Sequence, residues 1–163
     1  SAASDVYKRQ AVLHCKQTIN LRRRKGESIN LDRFKSISRY LYGSDAWLKD
    51  CRIRGKPPRW RIEKDGKQIA LWLFDRAGFS FSKDAIPLLF EQNILPTVTL
   101  RSGIKWKGDL HLGIIDSFDQ NIRRGQDLLV LQDGEAVGSA RAIAPGWEWA
   151  VTPGRLAKMH QKR

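Results

Sequence analysis

The side chains that most often carry catalysis are few in this 163-residue chain and poorly spaced for it. His14, His111 and His160 lie far apart, and no Ser/His/Asp or Cys/His order proposes a nucleophile with its base. Asp116 and Asp119 are close enough to be read as paired carboxylates, but a turn ahead of an apolar strand explains them better. The glycine-bounded stretch 103–108 lacks the Gly-Lys-Ser/Thr ending of a phosphate-cradling loop. Cys15 and Cys51 are too few and too distant for a metal cage or a disulfide framework. The expectation is a protein without catalysis of its own, without metal and without cofactor.

Positive charge is what the chain has in excess. Thirty Lys and Arg stand against 17 Asp and Glu, a formal net charge of +13, which favours a polyanionic partner. The surplus is uneven, with 16 basic against 6 acidic residues over 1–63 and 14 against 11 over 64–163. Two runs carry it. One is Arg22-Arg23-Arg24-Lys25. The other holds Arg52, Arg54, Lys56, Arg59 and Arg61 with no acid among them, and Trp60 sits inside it. Basic side chains interleaved with an aromatic suit phosphate contact plus base stacking. The competing reading is a solvated strand edge with Trp60 turned into a core, and for Trp60 taken alone the core is the better reading. No apolar stretch approaches the ~20 residues that span a bilayer, no signal-peptide core is present, and a reducing cytoplasm is the expected setting.

The elements that must position these charges become readable from residue 30. Ahead of it, Asp5-Val6-Tyr7-Lys8-Arg9-Gln10 looks like the translation of a transposase end used in DNA-library preparation. Residues 1–10 are therefore read as a sequencing scar, and residues 11–29 as an arm or unassigned upstream material. Leu31, Phe34, Ile37 and Leu41 fall at helical spacing behind a cap at Asn30, and Gly43 ends the helix. Runs at 59–64 and 67–74 flank Asp65-Gly66, a strong hairpin signal. Phe79 and Phe81 continue as a short strand, and Asp84 caps a helix through Glu91 with Pro87 in its first turn. This predicts a small α-β-β-β-α domain over residues 30–93. Beyond Pro96, short apolar runs at 97–100, 110–115, 127–131, 136–143, 147–151 and 156–160 alternate with glycines, and Asp133-Gly134 marks a second hairpin. Such spacing predicts a small β-barrel or sandwich over residues 94–162. Trp147 and Trp149, read as a strand, face one side of it. The fold class is α+β.

The stretch Gly113-Ile114-Ile115-Asp116, then Ile122-Arg123-Arg124-Gly125-Gln126-Asp127-Leu128-Leu129-Val130, then Ala136-Val137-Gly138-Ser139-Ala140, then Gly154 and a closing β run, resembles a PUA domain. Two departures stand out. The family's Gly-Asp is here Gly125-Gln126-Asp127, and Ser139 stands where a basic residue is common, with Arg141 two positions on. Upstream, the helix from Asp32 to Gly43, the Asp65-Gly66 hairpin, Arg76-Ala77-Gly78-Phe79-Ser80-Phe81-Ser82 and the short helix at 85–90 resemble the domain that precedes the PUA domain in archaeal archaeosine tRNA-guanine transglycosylases.

The resemblance implies a PUA-type mixed β-barrel behind a small α+β domain, the two together gripping the acceptor stem and 3′ end of tRNA. It implies no catalytic barrel in this chain. The chain is then the RNA-holding part of a two-polypeptide enzyme with a transglycosylase catalytic subunit as partner, a stand-alone protein, or a piece of a longer one. In the family the groove lies between a short helix and the closing strand. Lys105, Trp106, Lys107, His111 and Gly113 are thus candidates on one wall, Arg155 and Lys158 on the other. Arg123, Arg124 and Arg141 are further candidates for RNA contact, and Arg52, Arg54, Lys56, Arg59 and Arg61 form an auxiliary basic surface. Two other readings stay open. One is a subunit that docks a catalytic partner, which an exposed Trp47 or Trp147 favours. The other is a DNA-binding module, for which no groove-reading helix is seen.

Overall fold

The computed structural model describes residues 31–163. The Asn30 cap, the Arg22–Lys25 run, His14, Cys15 and the readings of residues 1–29 lie outside the described residues. The chain forms two compact units that divide between Phe81 and Ser82.

In the first unit a helix, α1 (Leu31–Tyr42), and a 3-10 turn (Ala46–Leu48) precede β1 (Arg52–Lys56), β2 (Arg59–Lys64), β3 (Lys67–Leu73) and β4 (Gly78–Phe81). The strands form an antiparallel sheet in sequence order. The hairpin expected at Asp65-Gly66 is present with both residues at positive φ, +50° and +78°, the geometry of a two-residue turn whose twist matches its strands. There are four strands rather than the three expected. Four of the five β1 residues are charged or glycine, so no period-two apolar pattern marks it. Its strand form comes from pairing with β2 across Pro57-Pro58, with Arg54 opposite Arg61 and Lys56 opposite Arg59.

One face of this sheet is aromatic. Trp60, Trp72 and Phe79 are cross-strand neighbours, as are Ile62, Ala70 and Phe81. Phe34 of α1 packs edge-on to Trp72, with ring centroids 5.4 Å apart, and Trp47 packs edge-on to Phe81 at 5.0 Å. Such pairs add to plain area burial. Trp60 is in this core and does not face solvent. The buried line of α1 differs from the expected apolar stripe. Ser38 is fully buried and Leu41 is exposed. The buried Ser38 hydroxyl accepts the Trp47 Nε1–H at 2.7 Å and donates to the Ser44 carbonyl at 2.6 Å. That network satisfies the groups that burial would otherwise penalise, and it turns the helix so that Phe34 and Ser38 face the sheet.

The second unit opens with a 3-10 turn (Lys83–Ala85) and α2 (Ile86–Glu91), which packs against β9 (Glu135–Ala142). Pro87 is in the first turn of α2, but Asp84 is not its cap. It falls inside the 3-10 turn, and Ala85 holds the cap position without a side-chain hydrogen bond. The remaining strands are β5 (Thr97–Leu100), β6 (Leu110–His111), β7 (Ile115–Phe118), β8 (Asp127–Gln132) and β10 (Arg155–Lys162). With β9 they form one six-stranded sheet in the order β6-β10-β9-β8-β5-β7, with β5 and β8 parallel. The expected run at 110–115 is split by a 3-10 turn (Leu112–Ile114) that joins β6 to β7.

That turn dictates the shape. β6 and β7 are the two edges of the sheet, and six flat strands would hold their edges about 24 Å apart at ~4.8 Å per step. Three residues of 3-10 turn advance only about 6 Å. The sheet must curl until its edges nearly meet, giving the nearly closed mixed β-barrel. The core of the barrel is Val98, Leu100, Leu110, Leu128, Val130 and Leu156, with Trp106 and Trp149 among them.

The segment 147–151 is not a strand. Gly146–Glu148 is a 3-10 turn, and Gly146 sits so close to the backbone that a Cβ there would lie 2.6 Å from the Asp119 carbonyl and 2.9 Å from that of Gln120. The chain therefore turns where it was expected to run straight, and the two tryptophans part. Trp149 is fully buried, donates Nε1–H to the Ala144 carbonyl at 2.8 Å and stacks against Phe118. Trp147 is 67% exposed.

Gly138 of β9 plays a similar part for Trp106. A Cβ at Gly138 would collide with the Trp106 ring and the Gln161 carbonyl. Gly138→Ala is expected to destabilise the fold by about 1–3 kcal/mol through overpacking. Denaturant unfolding followed by tryptophan fluorescence measures this, and an unchanged midpoint contradicts it.

Candidate functional site

An open cleft of about 380 Å³ lies on the barrel between residues 111–113 and 150–154. One wall is the end of β6 and the turn that closes the barrel. The other is the segment that leads from the Gly146 turn into β10. The walls are tied together at one point, where His111 Nδ1 lies 3.0 Å from the Gly154 carbonyl. That contact requires the proton on Nδ1 and leaves Nε2 an acceptor in the neutral ring. Thr152 steadies the second wall by donating both its backbone N–H and its hydroxyl to the Glu148 carbonyl, at 2.9 and 2.8 Å. Leu112 and Val151, one on each wall, are both exposed apolar side chains, Val151 at 80%. A Cβ on Gly113 would meet nothing within 4 Å, so its bare backbone faces open space.

Arg155 is the direct cross-strand partner of His111. Its guanidinium donates to Asp109 Oδ2 at 3.2 Å, while Asp109 Oδ1 accepts the Met159 N–H at 3.0 Å. One carboxylate thus holds β10 at two places, on either side of the irregular pairing between Arg155 and Ala157. The Met159 N–H, followed by Arg155 and Lys158, holds the Asp109 carboxyl below its ordinary value against the opposing effect of burial.

The fold carries several expected residues to this end of the barrel. Asp127, Arg141 and Lys158 form a cross-strand row through β8, β9 and β10. Arg141 donates Nε–H to Asp127 Oδ1 at 2.8 Å and both side chains are largely buried, so its charge is matched within the fold. Lys158 is exposed beside it. Arg123 and Arg124 are exposed in the turn that enters β8, where the Arg123 N–H donates to Gln126 Oε1 at 2.9 Å and the Gly125 N–H donates to the Ala142 carbonyl at 2.8 Å. The extra residue in Gly125-Gln126-Asp127 thus serves as a side-chain brace for the turn. Asp119 has a similar local role, accepting the Asn121 N–H at 2.8 Å.

Lys105, Trp106 and Lys107 are not among the residues that line this cleft. Trp106 is a core residue, only 2% exposed, and its ring is not open for stacking. Its Nε1–H donates to the Gly108 carbonyl, and its own carbonyl accepts Lys162 Nζ at 2.6 Å. This places Trp106 beside Lys162 of β10, while Asp109, three residues on, reaches back to Arg155 and the Met159 N–H. Lys105 and Lys107 are exposed. Arg52, Arg54, Lys56, Arg59 and Arg61 are exposed on β1 and β2 of the first unit. Residues 150–154 were missed as a cleft wall, although Thr152-Pro153-Gly154 has turn composition that signals a break before the closing strand.

Among the described residues no group of three or more His, Cys, Asp or Glu is placed to hold a metal ion. No helix among them is long and apolar enough to cross a membrane. Cys51 is buried, its Sγ donating to the Trp47 carbonyl at 3.4 Å, and burial pushes its thiol pKa up.

No protein-family model matches the chain, and no curated protein matches it. Solved structures do. A PUA domain protein from Thermoplasma acidophilum superposes with a TM-score of 0.61 at 21% identity, over 82% of this chain and 91% of that one. A protein of unknown function gives 0.66 at 19% identity over 88% of this chain, which spans 52% of that longer protein. A hypothetical protein from Pyrococcus horikoshii gives 0.56 at 14% identity, over 83% and 93%. At these identities the likeness is one of fold, and it gives the chain a PUA-like fold.

The Asp109 tie has a pH signature. Its folded-state pKa lies below the unfolded carboxylate value of about 3.9, so its contribution is complete above that value and is lost as pH falls through the folded one. Asp109→Asn is expected to be less stable than the parent at neutral pH, with the two unfolding midpoints converging in strong acid. A gap that persists unchanged to the lowest accessible pH rules out this role.

Proposed function

We propose that this chain binds RNA, taking an unpaired 3′ end in the cleft between residues 111–113 and 150–154. The observation that carries the proposal is the composition of that cleft. It has apolar side chains on both walls, bare backbone at Gly113, a polar tie at His111, and Arg155, Lys158, Arg123 and Arg124 on the same end of the barrel. An unstacked nucleotide needs those features: apolar surface for the base, backbone groups for its edges, and cations for the phosphates on either side. Lys105 and Lys107 are exposed but lie outside the cleft lining. The reading gains from the fold shared with the Thermoplasma protein, a PUA domain protein.

The finer form of the proposal is that the RNA is tRNA, held at its acceptor end. The chain then serves as the non-catalytic RNA-holding part of a transglycosylase-like modification system whose catalytic subunit is a separate partner. The resemblance of residues 31–160 to the archaeosine enzymes supports this form. A second reading, a subunit that docks a protein partner with RNA contact secondary, is favoured by one observation. Trp147 is exposed four residues before the exposed Val151, on the turn that leads into the cleft wall. Trp47, the other candidate for that surface, is fully buried and unavailable.

Gly113→Val separates binding from folding, because the space beside Gly113 is open. The variant is expected to keep its melting temperature and to lose roughly tenfold in affinity for a tRNA with an intact 3′ end, the equivalent of about 1.4 kcal/mol. A tRNA trimmed to a blunt acceptor stem is expected to bind parent and variant alike. Equal affinity of the parent for trimmed and intact tRNA sinks the cleft reading. Absence of any tRNA binding at low salt sinks the RNA reading as a whole.

A further inference from the structure

The first unit carries a feature that the cleft does not use. Its sheet has two faces, and α1 with the Trp47 turn covers the aromatic one. The alternation of strand residues puts every second side chain on the opposite face. In the observed register Arg52, Arg54 and Lys56 of β1 lie directly across from Glu63, Arg61 and Arg59 of β2. All five basic residues therefore project from one face, and all five are exposed. Two of the three cross-strand pairs are cation against cation, Arg54 with Arg61 and Lys56 with Arg59. Arg54 Nε reaches Glu63 Oε2 at 2.9 Å. No ion pair among the described residues neutralises Arg52, Lys56, Arg59 or Arg61.

Like charges directly opposite each other destabilise a sheet. A surface that concentrates them in register has a reason other than stability. The face is also nearly free of aromatic rings among these strands. Trp60, Trp72, Phe79 and Phe81 all project into the core, and the next residues on the open face are Leu71, Leu73 and Ser80. It offers no stacking platform for unpaired bases. What it does offer is a grid of cations rooted about 6.6 Å apart along each strand and about 5 Å apart across strands.

We propose that this open face of the β1–β2 sheet is a second nucleic-acid site, one that holds the phosphodiester backbone of double-stranded RNA without reading its sequence. A backbone site needs closely rooted cations and no aromatic surface, and that is what the register provides. It stands independently of the cleft, since it asks for paired RNA where the cleft asks for an unpaired end.

The test uses the full chain, a blunt RNA duplex with no overhang, and the double variant Lys56→Thr with Arg61→Thr. Threonine suits a strand, and both positions are exposed, so the sheet is retained. The parent is expected to bind the blunt duplex with steep salt dependence. The variant is expected to lose about 1.4 to 1.8 from the slope of log affinity against log salt, two contacts at roughly 0.7–0.9 each. Its melting temperature is expected to stay level or rise, because two like-charge pairs are relieved. Gly113→Val is expected to bind the blunt duplex as the parent does, so failure of the cleft and failure of this face are told apart. An unchanged salt slope overturns the proposal, as does a fall in melting temperature that accounts for the lost binding. Equal binding of a blunt DNA duplex assigns the face to DNA instead. Competition by polyglutamate as effective as RNA assigns it to an acidic protein, and an equal response with anionic lipid vesicles assigns it to a membrane surface. Each of these three outcomes overturns the RNA assignment.

Discussion

Barrel closure is the constraint on which the second unit depends. Its two edge strands, β6 and β7, are separated in sequence by three residues and in sheet order by the whole width of the sheet. The backbone cannot cover the width of a flat sheet in so short a span. The sheet therefore curls, and the 3-10 turn that completes the curl becomes a rim that cannot be moved without opening the barrel. The candidate cleft uses this rim as one wall. Gly113 is held in place by the closure of the fold rather than by contacts of its own, which is why adding a side chain there is expected to disturb ligand and leave the fold alone.

The opposite wall is fixed by a different device. β10 enters the sheet beside β6 with an irregular register, and Asp109 spans that irregularity by bonding Arg155 on one side and the Met159 N–H on the other. Strand irregularities re-aim side chains and often border functional sites. Here the irregularity sends Arg155 and Lys158 to solvent while Leu156 and Ala157 remain in the core. Two tryptophans complete the frame. Trp106 seats against Gly138 toward the far end of β10, and Trp149 lies beyond the close backbone approach of Gly146 near the cleft. In each case a glycine admits an approach that any side chain would block, and the indole N–H finds a backbone carbonyl so that burial leaves no polar group unpaired.

The two units solve different physical problems. The first presents a grid of closely rooted charge on a sheet whose other face is filled with aromatic rings. The second presents an open cleft with little charge inside it and cations at its border. Long-range attraction falls off over about a Debye length, roughly 8–10 Å at physiological salt, and costs the ligand no particular shape. A cleft of nucleotide size, by contrast, selects shape and a free end. Under the two proposals above, the first unit would attract the ligand and the second would select it.

Much of the fold was legible in the residues. The helix at 31–42, both Asp-Gly hairpins, Pro87 at a helix start and most barrel strands obey local rules of period, turn chemistry and capping. The core position of Trp60 was legible too. What the sequence left open depends on contacts between distant segments. β1 has no period of its own and exists because β2 offers an edge. Ser38 replaces an expected leucine in the buried line because Trp47 supplies a partner for its hydroxyl. The segment at 147–151 alternates like a strand, yet the backbone packing of Gly146 against residues 119 and 120 makes it turn, burying Trp149 and exposing Trp147. The basic residues of the expected groove were chosen by type, since charge is readable from sequence. Their grouping was not readable, because it is set by barrel closure and strand register. Those long-range constraints brought Arg155 and His111 together, left Lys105 and Lys107 outside the cleft lining, and turned Trp106 into the core.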